Sequence, residues 1–132
     1  MTNILVVDDE QSMRDFLKIL LQKEGYGVET GSNGDAALQK LQSAGYDLLI
    51  SDIRMPGMSG LDLLSRVKED NPDLPVIMIT AFASPDDAVS AMKNGAFDYI
   101  SKPFNVDEIK SVIHSATSQK DAAQSRQQLA QS

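Results

Sequence analysis

Three aspartates and a lysine stand at the ends of short apolar runs, where their side chains could do chemistry together. Asp8 and Asp9 end the first run, Asp52 comes just after the third, and Lys102 comes just after the fifth. Carboxylates that meet repel one another and raise each other's pKa, which favours a shared proton or a bound cation. Hard anionic oxygen ligands suit Mg²⁺, which uses one or two carboxylates and keeps several waters. The pattern therefore favours a magnesium site.

A phosphoryl group fits the same arrangement. Lys102 adds a fixed positive charge beside the cation, and phosphoryl oxygens require both. A carboxylate held there can act as a nucleophile and become an aspartyl phosphate, to which Thr80, at the end of the fourth run, can offer its hydroxyl. Each residue alone has an ordinary explanation: the aspartate pair as a helix cap, the third aspartate as a turn cap and the lysine as part of a loop. The joint pattern is more specific than any one of them.

Five apolar runs alternate with five amphipathic patterns, which predicts alternating strands and helices. The first run is continuous, as in a strand buried on both faces, whereas the second holds one apolar residue and is placed at an edge. The predicted strands cover residues 4–7, 27–30, 48–50 leading into 51–52, 76–79 ending at 80, and 99–101.

Capping residues mark the predicted helices. Apolar side chains recur at helical spacing from Met13 through Phe16 to Leu21, and Gly25 ends that helix. Polar N-cap residues mark the starts of the other four helices. These residues are Asn33, Ser59, Ser84 (followed by Pro85) and Asn105 (with Glu108 as a capping box).

The alternation predicts an α/β fold, a doubly wound (βα)₅ unit with a parallel five-stranded sheet and right-handed crossovers. The strand order 2-1-3-4-5, of the flavodoxin-like kind, is adopted from known doubly wound proteins rather than derived. That order leaves a crevice at the carboxyl ends of strands one and three, where the aspartates stand.

Composition excludes several classes of protein. The chain has 132 residues, which fits one domain, and no cysteine, which excludes a disulfide scaffold and a thiolate zinc site. A single histidine, His114, excludes a multi-histidine metal site and is expected on a helix surface. With 12 basic and 19 acidic residues, the net charge of −7 argues against direct nucleic-acid binding.

Nothing in the sequence indicates a membrane protein. No apolar run approaches the roughly 18 residues that a membrane span needs. The first residues carry no basic segment and reach acidic residues too early for a signal peptide. We therefore expect a cytoplasmic protein.

Four segments resemble the signature blocks of two-component response-regulator receiver domains, the CheY-like family. They are VVDDE (6–10), LLISDIRMPGMSG (48–60), VIMITAFAS (76–84) and GAFDYISKPF (95–104). The resemblance covers residues 3–117, and residues 80–104 are most similar to the receivers of NtrC-type sigma-54-dependent activators. It implies a receiver domain over 1–117, with 118–132 as an extension of helix five or a linker toward an absent output domain. That tail, rich in Gln, Ser and Ala, fits a frayed helix or a coiled-coil connector.

The resemblance also implies a role for each matching residue. Asp52 would be the phosphoacceptor, supplied by the phosphohistidine of a sensor histidine kinase. Asp9 would bind Mg²⁺ directly, for which Mn²⁺ can substitute, and Asp8 largely through water. Asp52 and the backbone carbonyl of Arg54 would complete the metal ligands, and Lys102 would contact the phosphoryl group.

Further residues would transmit the signal. The backbone of Ile53, Arg54 and Ala81 would contact the phosphoryl oxygens. Thr80 would turn toward the phosphoryl group and Tyr99 would swing into the space that Thr80 leaves. The bond between Lys102 and its following proline is expected to be cis, which an X-Pro bond tolerates at about 0.5–1 kcal/mol.

The implied function is a phosphorylation-controlled switch rather than an enzyme. It would regulate transcription through attached AAA+ and DNA-binding domains and dimerise through helix four, strand five and helix five. One alternative is a stand-alone phosphotransfer or chemotaxis-type receiver. Another is a magnesium-dependent phosphatase with an aspartate nucleophile, but such enzymes commonly carry a second acid where this chain has Arg54. A nucleotide-binding module is a third, and the chain lacks the glycine-rich loops that it needs.

Overall fold

The computed structural model describes residues 2–81 and 84–131, with side chains described up to residue 118. Within these ranges five strands alternate with five helices, as the sequence predicts. The strands are β1 Asn3–Val7, β2 Gly27–Gly31, β3 Leu48–Asp52, β4 Val76–Thr80 and β5 Asp98–Ser101. The helices are α1 Gln11–Lys23, α2 Gly34–Ser43, α3 Gly60–Asp70, α4 Pro85–Lys93 and α5 Val106–Gln131.

All four strand pairs are parallel, and the sheet has the order β2-β1-β3-β4-β5. The predicted doubly wound α/β fold is therefore confirmed. Val7 pairs with Ser51, and Thr80 pairs with Ser101. Because of this register, the residues that end or follow β1, β3, β4 and β5 lie along one edge of the sheet.

Apolar side chains cover both faces of the sheet. On one face, Leu5 and Val7 pack in a cluster with Leu63 of α3. On the other, Ile4 and Val6 pack with residues of α1 and α5. Since alternate residues of β1 enter both clusters, the strand needs the continuous apolar run seen in the sequence. Each fully buried aliphatic side chain contributes about 1.5–3 kcal/mol, so two cores hold the sheet edge in place.

The predicted N-caps of four helices are confirmed. Each cap side chain accepts a hydrogen bond from the backbone N–H three residues later, at donor–acceptor distances of 2.6–3.5 Å. The four residues are Asn33, Ser59, Ser84 and Asn105. A cap of this kind typically contributes about 1 kcal/mol and fixes where the chain enters the helix.

Some side chains differ from the simplest amphipathic pattern. Leu17 and Leu21 of α1 are buried, but Phe16 is 44% exposed and its ring lies 6.4 Å from that of Phe104. It lies at the border of the apolar stripe and packs on the segment before α5 instead of under the sheet. His114 is exposed on α5, as predicted.

The backbone of α5 remains helical through Gln131. The predicted side-chain character of residues 119–132 lies outside the described side chains, and Ser132 lies outside the described residues. Within the part of the chain that is described, no helix combines the length and the apolar character needed to cross a bilayer.

Candidate functional site

Two buried carboxylates lie at the carboxyl edge of the sheet. Asp8 follows β1 and Asp52 ends β3, and these strands are hydrogen-bonded neighbours. Their residues are only 3% and 7% exposed, which is unusual for aspartate. Buried carboxylates need compensating partners, so their surroundings decide what the site can do.

Lys102 supplies a positive charge to both carboxylates. Its Nζ lies 3.0 Å from Asp8 Oδ2 and 3.3 Å from Asp52 Oδ2. Its backbone N–H donates to the carbonyl of Thr80 at 2.7 Å, which ties the residue to the end of β4. The following peptide bond, to Pro103, is cis, as predicted. The structure thus brings together four of the residues that the sequence predicts for chemistry, namely Asp8, Asp52, Thr80 and Lys102.

The electrostatics of the site follow from burial and from this ammonium group. Burial raises the pKa of Asp52 above its ordinary value, and the charge of Asp8 adds to the rise, although Lys102 and a backbone N–H oppose it. Burial alone would lower the pKa of Lys102, but its hydrogen bonds and charge interactions with Asp8 and Asp52 outweigh that effect and raise it. The site is therefore a protonated lysine held between two carboxylates.

Two further acidic residues, Asp9 and Glu10, lie beside Asp8. Asp8, Asp9 and Glu10 offer carboxylate oxygens that all lie within 4.8 Å of one another, and the N–H of Glu10 donates to Asp8 Oδ1 at 2.9 Å. Three hard oxygen donors, two of them exposed, fit Mg²⁺ in a partly hydrated site. Glu10 has no role predicted from sequence, although its place directly after the aspartate pair could have signalled one. Asp52 is joined to this group through Lys102.

A further contact fixes the loop that carries these acids. Arg14, one turn into α1, donates from Nη1 to the backbone carbonyl of Asp8 at 2.7 Å. The peptide group between Asp8 and Asp9 is thereby oriented from the helix side.

The segment after β3 carries Arg54, whose backbone contacts Asp52 and whose side chain contacts α4. Its backbone N–H donates to Asp52 Oδ1 at 3.2 Å, and its guanidinium Nη2 lies 3.3 Å from Asp87 Oδ2 in the first turn of α4. The N–H of Ile53 donates to the carbonyl of Ile79 at 3.2 Å. Backbone contacts of residues 53, 54 and 81 to a phosphoryl group remain predictions.

Gly60 allows α3 to begin against the Asp52 backbone. A Cβ atom at this position would overlap the carbonyl oxygen of Asp52, and the N–H of Gly60 donates to the carbonyl of Ile53 at 2.8 Å. This glycine could not be picked out from sequence, because a glycine after an N-cap serine carries no sign of what lies opposite it.

The two predicted switch residues lie on the neighbouring strands β4 and β5. Thr80 is fully buried at the end of β4, one strand from Asp52. Tyr99 is half-buried on β5, and its hydroxyl accepts a hydrogen bond from the N–H of Ser84 at 3.3 Å, where α4 begins. A rearrangement at Tyr99 can therefore reach the start of α4 through this hydrogen bond.

Comparison with known proteins agrees with this geometry. Residues 4–114 match the response regulator receiver domain family. The chain belongs to the response regulator receiver family. Receiver domains of two-component systems are not classical enzymes, and a histidine kinase is their implied partner.

Individual relatives extend this picture. The chain is 47% identical to the DNA-binding transcriptional regulator NtrC of Escherichia coli K12 over 115 residues, which are 87% of this chain and 24% of that protein. A receiver domain from Clostridium thermocellum matches with a TM-score of 0.89 and 34% identity, covering 93% of this chain and 99% of that one. TrrA of Thermotoga maritima, solved in complex with Mg²⁺ and BeF, matches with a TM-score of 0.81 and 41% identity, covering 88% and 99%. This receiver spans about a quarter of the length of its NtrC relative.

Proposed function

We propose that Asp52 accepts a phosphoryl group from the phosphohistidine of a sensor histidine kinase in a magnesium-dependent reaction. One observation carries this: a buried carboxylate at the carboxyl edge of the sheet has a lysine ammonium 3.3 Å away and an acidic group beside it. An oxygen of Asp52 attacks the phosphorus atom, the P–N bond breaks, and the imidazole leaves with the bonding electron pair.

The residues of this receiver divide the work of that step. The ammonium of Lys102, which contacts Asp52 in this structure, would donate hydrogen bonds to the phosphoryl oxygens. Asp9, with Asp8 largely through water, Asp52 and the carbonyl of Arg54, would hold the cation, which supplies further positive charge to the same oxygens. Mn²⁺ can take the same oxygen ligands.

The transfer is tested by intact-mass measurement after incubation with acetyl phosphate and Mg²⁺. We expect the wild type to gain the mass of one phosphoryl group, and D52N and a sample with chelator to gain none. An unchanged wild type, or a D52N variant that gains the same mass, would contradict the proposal.

Metal binding is tested separately, by thermal unfolding. Mg²⁺ relieves repulsion among the acids, so about ten times its Kd stabilises the native state by about 1.4 kcal/mol. We expect D9N to lose most of this shift. The control D15N removes the same charge from an exposed position on α1 and should keep it. Equal shifts in D9N and the wild type would count against a metal ligand at Asp9.

We also propose that phosphorylation changes the face formed by α4, β5 and α5, through Thr80 and Tyr99, and that two copies dimerise there. Val89 and Met92 of α4 are 53% and 49% exposed, which leaves apolar surface for a second copy. Sedimentation with beryllofluoride should show self-association in the wild type and its loss in V89D. I19D, at a similarly exposed site on α1, should behave as the wild type.

The wider assignment rests on the NtrC-type resemblance and on the 24% coverage of that relative. We propose a receiver domain over 1–117 in the cytoplasm, with residues 118–132 leading by the long α5 toward sigma-54-dependent AAA+ and DNA-binding domains. Joining this receiver to such domains and measuring phosphorylation-dependent ATPase activity tests the coupling; activity independent of Asp52 would favour the stand-alone alternative.

A further inference from the structure

We propose that Asp87 is a positioning residue that competes with the phosphoryl group on Asp52 for the guanidinium of Arg54. The inference rests on the proposed phosphorylation of Asp52 and adds to it a link to α4. In the unphosphorylated state Asp87 holds the guanidinium; in the phosphorylated state the phosphoryl oxygens draw it away.

Arg54 touches both ends of this link. Its backbone N–H donates to Asp52 Oδ1 at 3.2 Å, so its Cα lies beside the phosphoacceptor. Its guanidinium Nη2 lies 3.3 Å from Asp87 Oδ2, although the two residues are 33 positions apart in the chain. One residue therefore connects the segment after β3 with the first turn of α4.

Asp87 is the more buried member of the pair, and Arg54 is the more exposed. The N–H of Asp87 donates to Ser84 Oγ at 3.5 Å, and its side chain is 23% exposed. The side chain of Arg54 is 58% exposed. Both residues line a groove of about 490 Å³ with Met55, Pro56 and Ser59 among its other walls. The guanidinium thus borders an open groove on the side of Asp87.

Charge decides which partner the guanidinium prefers. Phosphorylated Asp52, two residues before Arg54, carries roughly two negative charges in place of the single charge of its carboxylate, whereas Asp87 carries one. Arg54 then leaves Asp87, and the first turn of α4 loses its ion pair with the segment after β3. Coupling between two sites is reciprocal, so removing the charge of Asp87 must strengthen binding of a phosphoryl mimic at Asp52.

The test measures the midpoint of a beryllofluoride titration with Mg²⁺, followed by amide NMR. We expect D87N to bind about 1.5- to 5-fold more tightly than the wild type, the range given by the coupling of an exposed ion pair. D87E keeps the charge and should restore the wild-type midpoint. The matched control is D86N, which removes the same charge from the same helical turn at an exposed position.

The dependence on Arg54 separates this link from a general charge effect. In an R54Q background, D87N should shift the midpoint no further than D86N does. Without beryllofluoride, amide exchange in the first turn of α4 should be faster in D87N than in the wild type. In the wild type, exchange there should become faster only when beryllofluoride is added.

Three results would overturn the inference while leaving phosphorylation intact: an unchanged midpoint in D87N, equal shifts in D87N and D86N, or a D87N shift that persists in R54Q. A wild type that binds no beryllofluoride would instead overturn the proposed function, and the inference with it.

Discussion

Replacing Lys102 with methionine removes the ammonium that lies between two buried carboxylates. Its Nζ is 3.0 Å from Asp8 and 3.3 Å from Asp52, whose side chains are 4% and 8% exposed, so water screens little of the charge. Removing one partner of a buried ion pair typically costs about 3–5 kcal/mol, because the remaining charge stays buried and uncompensated. We expect K102M to lose stability in this range at pH 8 without metal.

Urea unfolding at pH 8 and pH 5, with and without Mg²⁺, measures this loss. Without the lysine, nothing offsets the repulsion by the charge of Asp8, which raises the pKa of Asp52 further. Folding then takes up a proton, so the deficit is largest above the folded-state pKa of the carboxyl group and shrinks as the pH falls. Mg²⁺ should recover part of the loss at pH 8.

The control is K110M, which breaks an exposed pair. Lys110 Nζ lies 2.8 Å from Glu24 Oε1, but the side chains are 37% and 40% exposed, so we expect little change in the urea midpoint. The reasoning would be refuted if K102M were as stable as the wild type at pH 8 without metal. A loss of stability in K102M that changed with neither pH nor Mg²⁺ would also refute it.

Three further predictions concern the same edge of the sheet. Since the pKa of Asp52 is raised, its contribution to stability is present below the unfolded-state pKa of about 3.9 and lost as pH rises through the folded-state pKa. D52N should therefore unfold at higher urea than the wild type near pH 7, and the gap should close toward pH 4; a pH-independent gap would contradict this. G60A should cost about 1–3 kcal/mol, because a Cβ meets the Asp52 carbonyl, whereas G45A, with open space around it, should not; equal costs would contradict the packing. Y99F removes the acceptor for the N–H of Ser84, so that amide should exchange faster, and unchanged exchange would argue against the bond.

The fold could be predicted from sequence because local and global signals agree. The continuous run before Asp8 marks a strand buried on both faces, and four capping residues mark helix starts that the structure confirms. Boundaries differ by a residue or so, as at β5, which begins at Asp98 rather than Tyr99. The burial of a side chain at the border of an amphipathic stripe is harder to predict, as Phe16 shows. Periodicity tells which face of the helix a side chain lies on, but not whether a neighbouring loop covers it.

The sequence predicts only that the residues at the strand ends lie near one another at one edge of the sheet. Parallel topology brings Asp8, Asp52 and Lys102 to one edge, but the distances that make Lys102 a bridge depend on packing across the four strands from β1 to β5. The contact between Arg54 and Asp87 joins the segment after β3 to the first turn of α4, 33 residues apart, and no local pattern in the sequence encodes it.

The central claim is that Asp52, and no other carboxylate, carries the phosphoryl group. A crystal structure of this receiver with beryllofluoride and Mg²⁺ tests it most directly. We predict beryllium bonded to an oxygen of Asp52, with Lys102 Nζ within hydrogen-bond distance of a fluorine and the cation against Asp9. An adduct on Asp8, Asp9 or Glu10, or an Asp52 carboxylate left bare at saturating beryllofluoride, would contradict the account.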